Sequence, residues 1–215
     1  MVAVTRARKE SAGLKNMKTI PIQELVSIIS DGIYHATSIE RYRDIIDNGY
    51  ILPGKRVTHK NFPQSEVSNC HELSAIACFD FGRADASKVF GDDAMMKWPG
   101  VLLSYRYSDY PTTILIGFVR SLLPKEPLYY AEIKKQLGFG GIIPYGIECC
   151  YPGQLSLNLA SNIIAACHWN QIVLELVSLK NTVITNNMIE QIGSRHIELA
   201  EQYRLTLRDG KTYEA

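Results

Sequence analysis

Residues 33–54 read IYHATSIERYRDIIDNGYILPG and join the end of a strand to a capped helix. The first two residues are typical of a short β-strand, and Ser38 is a residue type that accepts a hydrogen bond at a helix N-terminus. Apolar residues then recur at helical spacing, at Ile39, Tyr42, Ile45 and Ile46. Asn48 and Gly49 predict the end of this helix, because both tolerate a positive φ.

His35 is the polar residue that stands out in this strand, and it comes just before the predicted helix. A side chain near the end of a strand points toward any cleft that the sheet forms at that end. This makes His35 a candidate binding residue. The alternative is a core histidine whose ring bonds a backbone carbonyl, and the spacing alone does not separate the two.

The composition describes an ordinary globular chain of 215 residues, with 46% hydrophobic and 21% charged residues. This length fits one domain with a sizeable core. The net charge of +1 argues against a surface dominated by phosphate contacts, but it allows a local basic groove. Since no apolar run reaches the roughly 18 residues of a membrane span, we expect a soluble protein without a membrane partner.

The five cysteines form an odd set without a repeated spacing, at positions 70, 78, 149, 150 and 167. No secretory apolar segment is apparent. These features predict reduced thiols and a cytoplasmic location. The adjacent pairs Cys70-His71 and Cys149-Cys150 lack the C-x2-C spacing with which two thiolates reach one zinc ion, so we expect no metal site.

The chain divides into a basic arm and one predicted domain. Residues 1–18 contain five basic residues against a single acid, Glu10, and show no periodic apolar stripe, which predicts a flexible arm. Such an arm either touches nucleic acid or stays solvated, and the sequence leaves both open. Residues 19–215 form the predicted domain.

Apolar runs between turn signals predict the other elements of this domain. Strands are expected at residues 74–81, 101–107, 112–119, 142–151 and 171–178. Helices are expected at residues 20–29, 88–98, 129–137 and 187–197. Residues 155–164 are interpreted as a strand end that passes into a helix, and the tail from Glu198 onward as an edge strand or a loose end.

The last two predicted strands carry one acid each among apolar neighbours. Glu148 lies in the strand at residues 142–151, and Glu175 lies in the strand at residues 171–178. A lone carboxylate in an apolar strand is costly unless it is solvated, paired or used in chemistry. Both are therefore candidates for one functional role.

The segment Tyr34-His35-Ala36-Thr37-Ser38, followed by a helix that ends in Asn-Gly, resembles the first motif of the ADP-ribosyltransferase superfamily. That motif usually reads His-Gly-Thr or His-Ala-Thr. The resemblance covers about residues 30–180 in strand order and implies an α+β fold, an ADP-ribosyltransferase-like split β-sheet with surrounding helices. It also implies NAD as a substrate, held in part by His35 and Thr37, with the histidine at the adenosine ribose.

The reaction of this superfamily builds positive charge on the ribose as nicotinamide leaves, and a nearby carboxylate stabilises that charge. Strand order favours Glu148, because one more strand normally follows the glutamate; Glu175 stays an alternative. An aromatic ring should stack on nicotinamide. Phe79 is our choice from its place after a loop, and the alternatives are Tyr105, Tyr107 and Tyr145. Arg56 and Arg83 are candidates for the pyrophosphate, since guanidinium matches phosphate geometry.

Three functions therefore follow from the resemblance. The first is an NAD-dependent ADP-ribosyltransferase, an enzyme of the glycosyltransferase class, that modifies a protein or nucleic-acid acceptor as bacterial or phage toxins do. The second is an RNA 2′-phosphotransferase-like enzyme, for which arginines are sparse near the central strands. The third is a non-catalytic binding module on the same fold. A common cleft that holds both His35 and one of the two glutamates is the geometry that catalysis requires.

Overall fold

The computed structural model describes residues 20–29, 31–53, 69–82, 111–138, 147–169, 172–179 and 184–208. The helices in these ranges are α1 (Ile22–Ile28), α2 (Ile39–Asn48), α3 (Asn69–Glu72), α4 (Tyr130–Leu137) and α5 (Asn186–Arg208). The strands are β1 (Ile20–Pro21), β2 (Ile33–Ser38), β3 (Tyr50–Ile51), β4 (Ala75–Asp80), β5 (Thr112–Phe118), β6 (Glu148–Pro152), β7 (Leu155–Ser156), β8 (Ala160–Trp169) and β9 (Ile172–Ser178). Two 3-10 turns lie at Arg120–Leu122 and Leu157–Leu159.

Seven strands form one sheet in the order β1-β9-β8-β5-β2-β4-β6, and β3 pairs with β7 in a second, two-stranded sheet. Every strand pairing among the described residues is antiparallel. The mixed α+β class that we expected is confirmed. The long strands β5 and β8 lie in the middle of the sheet, which explains their nearly continuous apolar sequence.

The unit formed by β2 and α2 is the one that its sequence predicts. Ser38 caps α2, and its hydroxyl accepts a hydrogen bond from the Arg41 N–H at 3.4 Å. Gly49 ends the helix at a φ of 71°, and its N–H bonds the carbonyls of Ile45 and Ile46. Local capping chemistry therefore fixes the point at which the chain leaves the His35 strand.

The sheet is divided between β2 and β4. All six residues of β2 pair with β5, whereas only Ile33 and Tyr34 pair with β4, opposite Asp80 and Phe79. β4 meanwhile pairs with β6 over five residues. We call the place where the ladder stops, between residues 35–38 and residues 75–78, the β2–β4 opening.

The two sides of the sheet are named here after adjacent residues of β2, as the His35 face and the Tyr34 face. Helices α2 and α5 cover the His35 face through buried residues that include Tyr42, Ile45, Ile189 and Ile192. Helix α1 covers the Tyr34 face through Leu25 and Ile29. Each face thus has its own apolar core.

Gly117 of β5 makes room for the ring of Tyr34, which lies across it and bonds the side chain of Asn162. A Cβ at Gly117 would lie 2.6 Å from Cε1 of Tyr34. We expect Gly117→Ala to lower the free energy of unfolding by about 1–3 kcal/mol, because the buried ring must shift. Urea unfolding measures this loss.

The Tyr34→Ala background provides the control for Gly117→Ala. With the ring removed, the added methyl group meets no obstacle, so its cost should fall well below the cost in the wild-type chain. Equal costs in the two backgrounds would show that Tyr34 is not what excludes the methyl group.

Two predicted elements are wrong. Residues 155–164 hold β7, a 3-10 turn and the start of β8, and no helix. Since β8 lies between β5 and β9, residues on both of its sides are apolar, and this run imitates a helical pattern. The tail is also not a strand, because α5 runs without interruption to Arg208. The predicted elements at 88–98 and 101–107, and the arm at 1–18, lie outside the described residues.

Candidate functional site

His35 lies where β2 and β4 separate. Its Nδ1 is 2.9 Å from the carbonyl oxygen of Ala77 on β4. Because a carbonyl only accepts, Nδ1 carries the proton and donates it. Alternate residues of β4 turn their backbone groups toward β2, as the bond from Phe81 N–H to Gly32 O shows. The Ala77 carbonyl would form the next hydrogen bond of the β2–β4 ladder, and the imidazole of His35 bonds it instead.

The ring of His35 is neutral at physiological pH. Burial lowers its pKa below 6.5, and the bond to Ala77 opposes that shift only in part. With the proton on Nδ1, the Nε2 atom presents a lone pair and accepts hydrogen bonds. Among the residues that the structure describes, Ala77 is the one hydrogen-bond partner of this ring. This bond to a backbone carbonyl is the one that the core-histidine alternative predicts, but His35 as a whole residue is partly exposed, and Nε2 is the ring atom that can accept from a hydroxyl donor.

The backbone of Ala36 offers a second recognition element. Gly32 and Tyr34 turn their N–H and C=O groups toward β4, so by alternation Ala36 does the same. No residue of β4 pairs with Ala36 within the described ladder. An adjacent N–H and C=O on one strand edge match a carboxamide, which accepts through its oxygen and donates through its nitrogen.

Thr37 lies on the same face as His35 but does not line the opening. It is 1% exposed and sits opposite Ile114 of β5. It also has a polar partner within the protein. In this structure Thr37 supports the strand, and direct contact with a ligand would require the strand to move.

By strand pairing, Glu148 belongs to the face of the sheet opposite His35. Directly paired residues of neighbouring strands project their side chains to the same face. Glu148 pairs with Phe79, and Phe79 pairs with Tyr34, so all three side chains project from the Tyr34 face. Glu148 is the first residue of the edge strand β6, is partly exposed and already has a partner in the protein. It lies level with the point where the pairing of β2 and β4 ends.

Glu175 is used inside the protein. Its carboxylate accepts two hydrogen bonds from Arg195 of α5, one of them 2.8 Å long, and lies 3.4 Å from Nε2 of His196. It leaves β9 on the His35 face beneath α5, three strands away from β2. On that face, the strands between β9 and β2 carry buried apolar residues, which include Ile114, Ile116 and Ala165. Glu175 therefore binds α5 to the sheet.

Phe79 packs as a core residue. It is 8% exposed, stacks on Phe81 with 6.2 Å between the ring centroids, and lies on the Tyr34 face. The structure therefore does not place it against a ligand held by His35. Arg56 and Arg83 lie outside the described residues.

Asp80 is the residue of this region that the sequence reading missed. It lies on the His35 face, opposite Ile33, and its carboxylate is buried. It accepts hydrogen bonds from the Gly82 N–H at 3.1 Å and from the Tyr129 hydroxyl, and the Arg120 guanidinium lies 3.5 Å away. An acid that ends an apolar strand two residues before a glycine was the available signal. These partners satisfy the carboxylate, which anchors the turn after β5 to β4.

The cysteines depart from the expectation of reduced thiols. Cys70 of α3 and Cys150 of β6 form a disulfide across 80 residues, with 5.2 Å between their Cα atoms. Cys78, Cys149 and Cys167 are free and buried, and burial raises the pKa of each thiol. Those three thiols are therefore poor nucleophiles.

Searches for similar proteins give no assignment. No family model, no curated protein and no solved structure matches this chain. Among the helices described here, none is both long and apolar enough to cross a bilayer. The case for a function therefore rests on the β2–β4 opening and on the resemblance of residues 34–38 to an ADP-ribosyltransferase motif.

Proposed function

We propose that this protein binds NAD at the β2–β4 opening and transfers ADP-ribose to a macromolecular acceptor, with release of nicotinamide. The observation that carries the proposal is the position of His35, whose ring is fixed by Ala77 where the central sheet divides. The His-Ala-Thr strand lies where the β2–β4 pairing ends, and its resemblance to the superfamily motif is what supports the choice of NAD.

The chemistry of the opening suits the two ends of the NAD molecule. Nε2 of His35 accepts a hydrogen bond from a ribose hydroxyl, because the bond to Ala77 holds the proton on Nδ1. The Ala36 backbone pair matches the carboxamide of nicotinamide. Backbone recognition needs no particular side chain, which is why position 36 tolerates alanine.

Glu148 is the better of the two candidate acids. Glu175 accepts hydrogen bonds from Arg195 and lies 3.4 Å from Nε2 of His196, so its carboxylate already has partners on α5. Glu148 belongs to the β4–β6 half of the sheet, two strands from His35, and is the first residue of its strand. Catalysis requires that the Glu148 carboxylate turn around the start of β6 toward the β2–β4 opening.

A binding module without transferase activity is the second candidate, and the register of the sheet favours it. Glu148 and His35 leave opposite faces of the sheet. If Glu148 keeps this position with NAD bound, no carboxylate meets the ribose from that strand. An RNA 2′-phosphotransferase activity gains no support, since Arg56 and Arg83 lie outside the described residues.

Incubating the full chain with NAD and measuring free nicotinamide by chromatography tests the proposal. Release above that of NAD alone is expected for the transferase. Binding of NAD without release would select the binding module. Neither binding nor release would refute both candidates.

The acceptor is a protein or a nucleic acid, and mass spectrometry of a lysate treated with labelled NAD identifies which. The cytoplasmic location stays a prediction. The Cys70–Cys150 disulfide counts against a strongly reducing compartment, because such bonds persist chiefly in oxidising ones.

A further inference from the structure

The Cys70–Cys150 disulfide joins α3 to the half of the sheet that borders the β2–β4 opening. Cys150 lies on β6, opposite Ala77 of β4, and its backbone also pairs with Leu128. Cys70 lies in α3, which leads into β4 through Leu73 and Ser74. One covalent bond therefore spans the helix before β4 and the strand beside it.

The disulfide is one of several interactions that hold α3 in place. The helix has four residues, which is too short to be stable by itself. The buried residues of its apolar cluster are Cys70, Ala75, Ile133 and Cys150, so the cystine supplies two of the four. Ser74, which follows the helix, has a φ of 50°, a conformation that a non-glycine residue adopts only when its surroundings hold it.

β4 holds the imidazole of His35, whereas pairing with β5 holds its backbone. Only Ile33 and Tyr34 pair with β4, and the next link between the two strands is the bond from His35 Nδ1–H to the Ala77 carbonyl. Across β4 from His35, Ala77 is paired with Cys150 of β6. A change in how α3 and β6 hold β4 is therefore transmitted to the imidazole through Ala77.

We infer that the Cys70–Cys150 disulfide is a redox-sensitive latch on the β4 side of the opening. In the oxidised protein it fixes α3 and β4 and so holds His35 in place. Reduction by a dithiol breaks the S–S bond, transfers two electrons and two protons to give two cysteine thiols, and closes the dithiol into its own cyclic disulfide. The two sulfurs lie in residues that are 3% and 1% exposed, so attack requires local opening of α3.

The consequence for the ligand, which rests on the proposed function, is a reciprocal coupling. If the oxidised form holds His35 in its binding position, reduction weakens NAD binding. By linkage, NAD then shifts the reduction equilibrium toward the disulfide by the same factor. A factor of roughly 5- to 150-fold is typical of such couplings.

The test uses the full chain with and without dithiothreitol, beside a Cys70→Ala/Cys150→Ala double variant and a Cys167→Ala control. Reduction and the double variant should each lower the melting midpoint by roughly 5–15 °C. Amide exchange over residues 69–80 should become faster in both. Cys167→Ala should keep the wild-type exchange there and its response to dithiothreitol, because Cys167 lies on β8 away from this side.

Failure of the latch and failure of the NAD proposal have different signatures. Unchanged exchange over residues 69–80, with mass spectrometry showing both thiols free, overturns the latch whether or not NAD binds. Equal NAD affinity of the oxidised and reduced chains overturns its coupling to the opening. If NAD binds neither form, the function proposal fails, and the exchange data alone decide the latch.

Discussion

Glu148→Gln is expected to slow nicotinamide release from NAD by about 100- to 1,000-fold while NAD affinity changes little. Glutamine keeps the shape of the side chain but lacks the negative charge that stabilises positive character on the ribose. Loss of one aligned electrostatic group in an active site typically costs two to three orders of magnitude in rate. Chromatographic nicotinamide assays at saturating NAD measure the rate, and calorimetry measures the affinity.

Glu175→Gln is the matched comparison, because it makes the same change in the other candidate acid. It should lower stability, since Arg195 and His196 lose their charged partner, while folded molecules keep their rate of release. The reverse result, with Glu175→Gln inactive and Glu148→Gln active, would transfer the catalytic role to Glu175. A wild-type chain that binds NAD without releasing nicotinamide would leave Glu148 without this role.

Acid is expected to destabilise the protein strongly between pH 6.5 and pH 4, because two histidines are buried in their neutral form. His168 bonds the Thr113 hydroxyl at 3.2 Å, and His196 bonds the Thr112 hydroxyl at 2.8 Å. Burial lowers the pKa of His168 from 6.5 to about 3 and that of His196 from 6.5 to about 4. Below pH 6.5 the unfolded chain takes up protons that the folded chain excludes.

The contribution of the two neutral histidines to the free energy of unfolding has its full value above pH 6.5. It is lost as the pH falls toward their pKa values in the folded protein. At pH 5 the loss is about 2 kcal/mol for each histidine. Groups that face His196 are Glu175, which favours its protonation, and His168 and Arg195, which oppose it. Urea unfolding at pH 7, 6 and 5 measures the effect.

A His168→Gln variant is the control for the acid effect, since glutamine keeps a polar group near Thr113 and does not titrate in this range. Its stability should fall less steeply from pH 7 to pH 5 than that of the wild type. Identical slopes in the two proteins would mean that His168 is already charged in the fold.

Local signals in the sequence predicted local structure well. Ser38 and Gly49 act on their own helix, so their positions along the chain suffice to locate α2. Apolar runs at residues 74–81 and 112–119 likewise predicted β4 and β5. β8 was misread because its neighbours in the sheet, which no local pattern reveals, make both of its sides apolar.

The arrangement of the candidate site depends on contacts between distant residues, and the sequence could not supply these. A shift of one residue in register moves a side chain to the opposite face, so the faces of Glu148 and His35 follow only from the pairing of β2, β4 and β6. The Cys70–Cys150 disulfide joins residues 80 apart whose spacing matches no motif. The role of Glu175 also required the position of Arg195 on α5.

Calorimetric titration of NAD into the wild-type chain and into His35→Ala tests the central claim most directly, with Leu205→Ala as a control at an exposed residue of α5. We predict wild-type binding with a Kd of about 1 μM to 1 mM, the usual range of enzyme substrates. His35→Ala should bind about tenfold more weakly or worse, because it loses a hydrogen bond to the ribose and the link to Ala77, whereas Leu205→Ala should match the wild type. Equal affinity in the wild type and His35→Ala, or no binding by the folded wild type, would contradict the account.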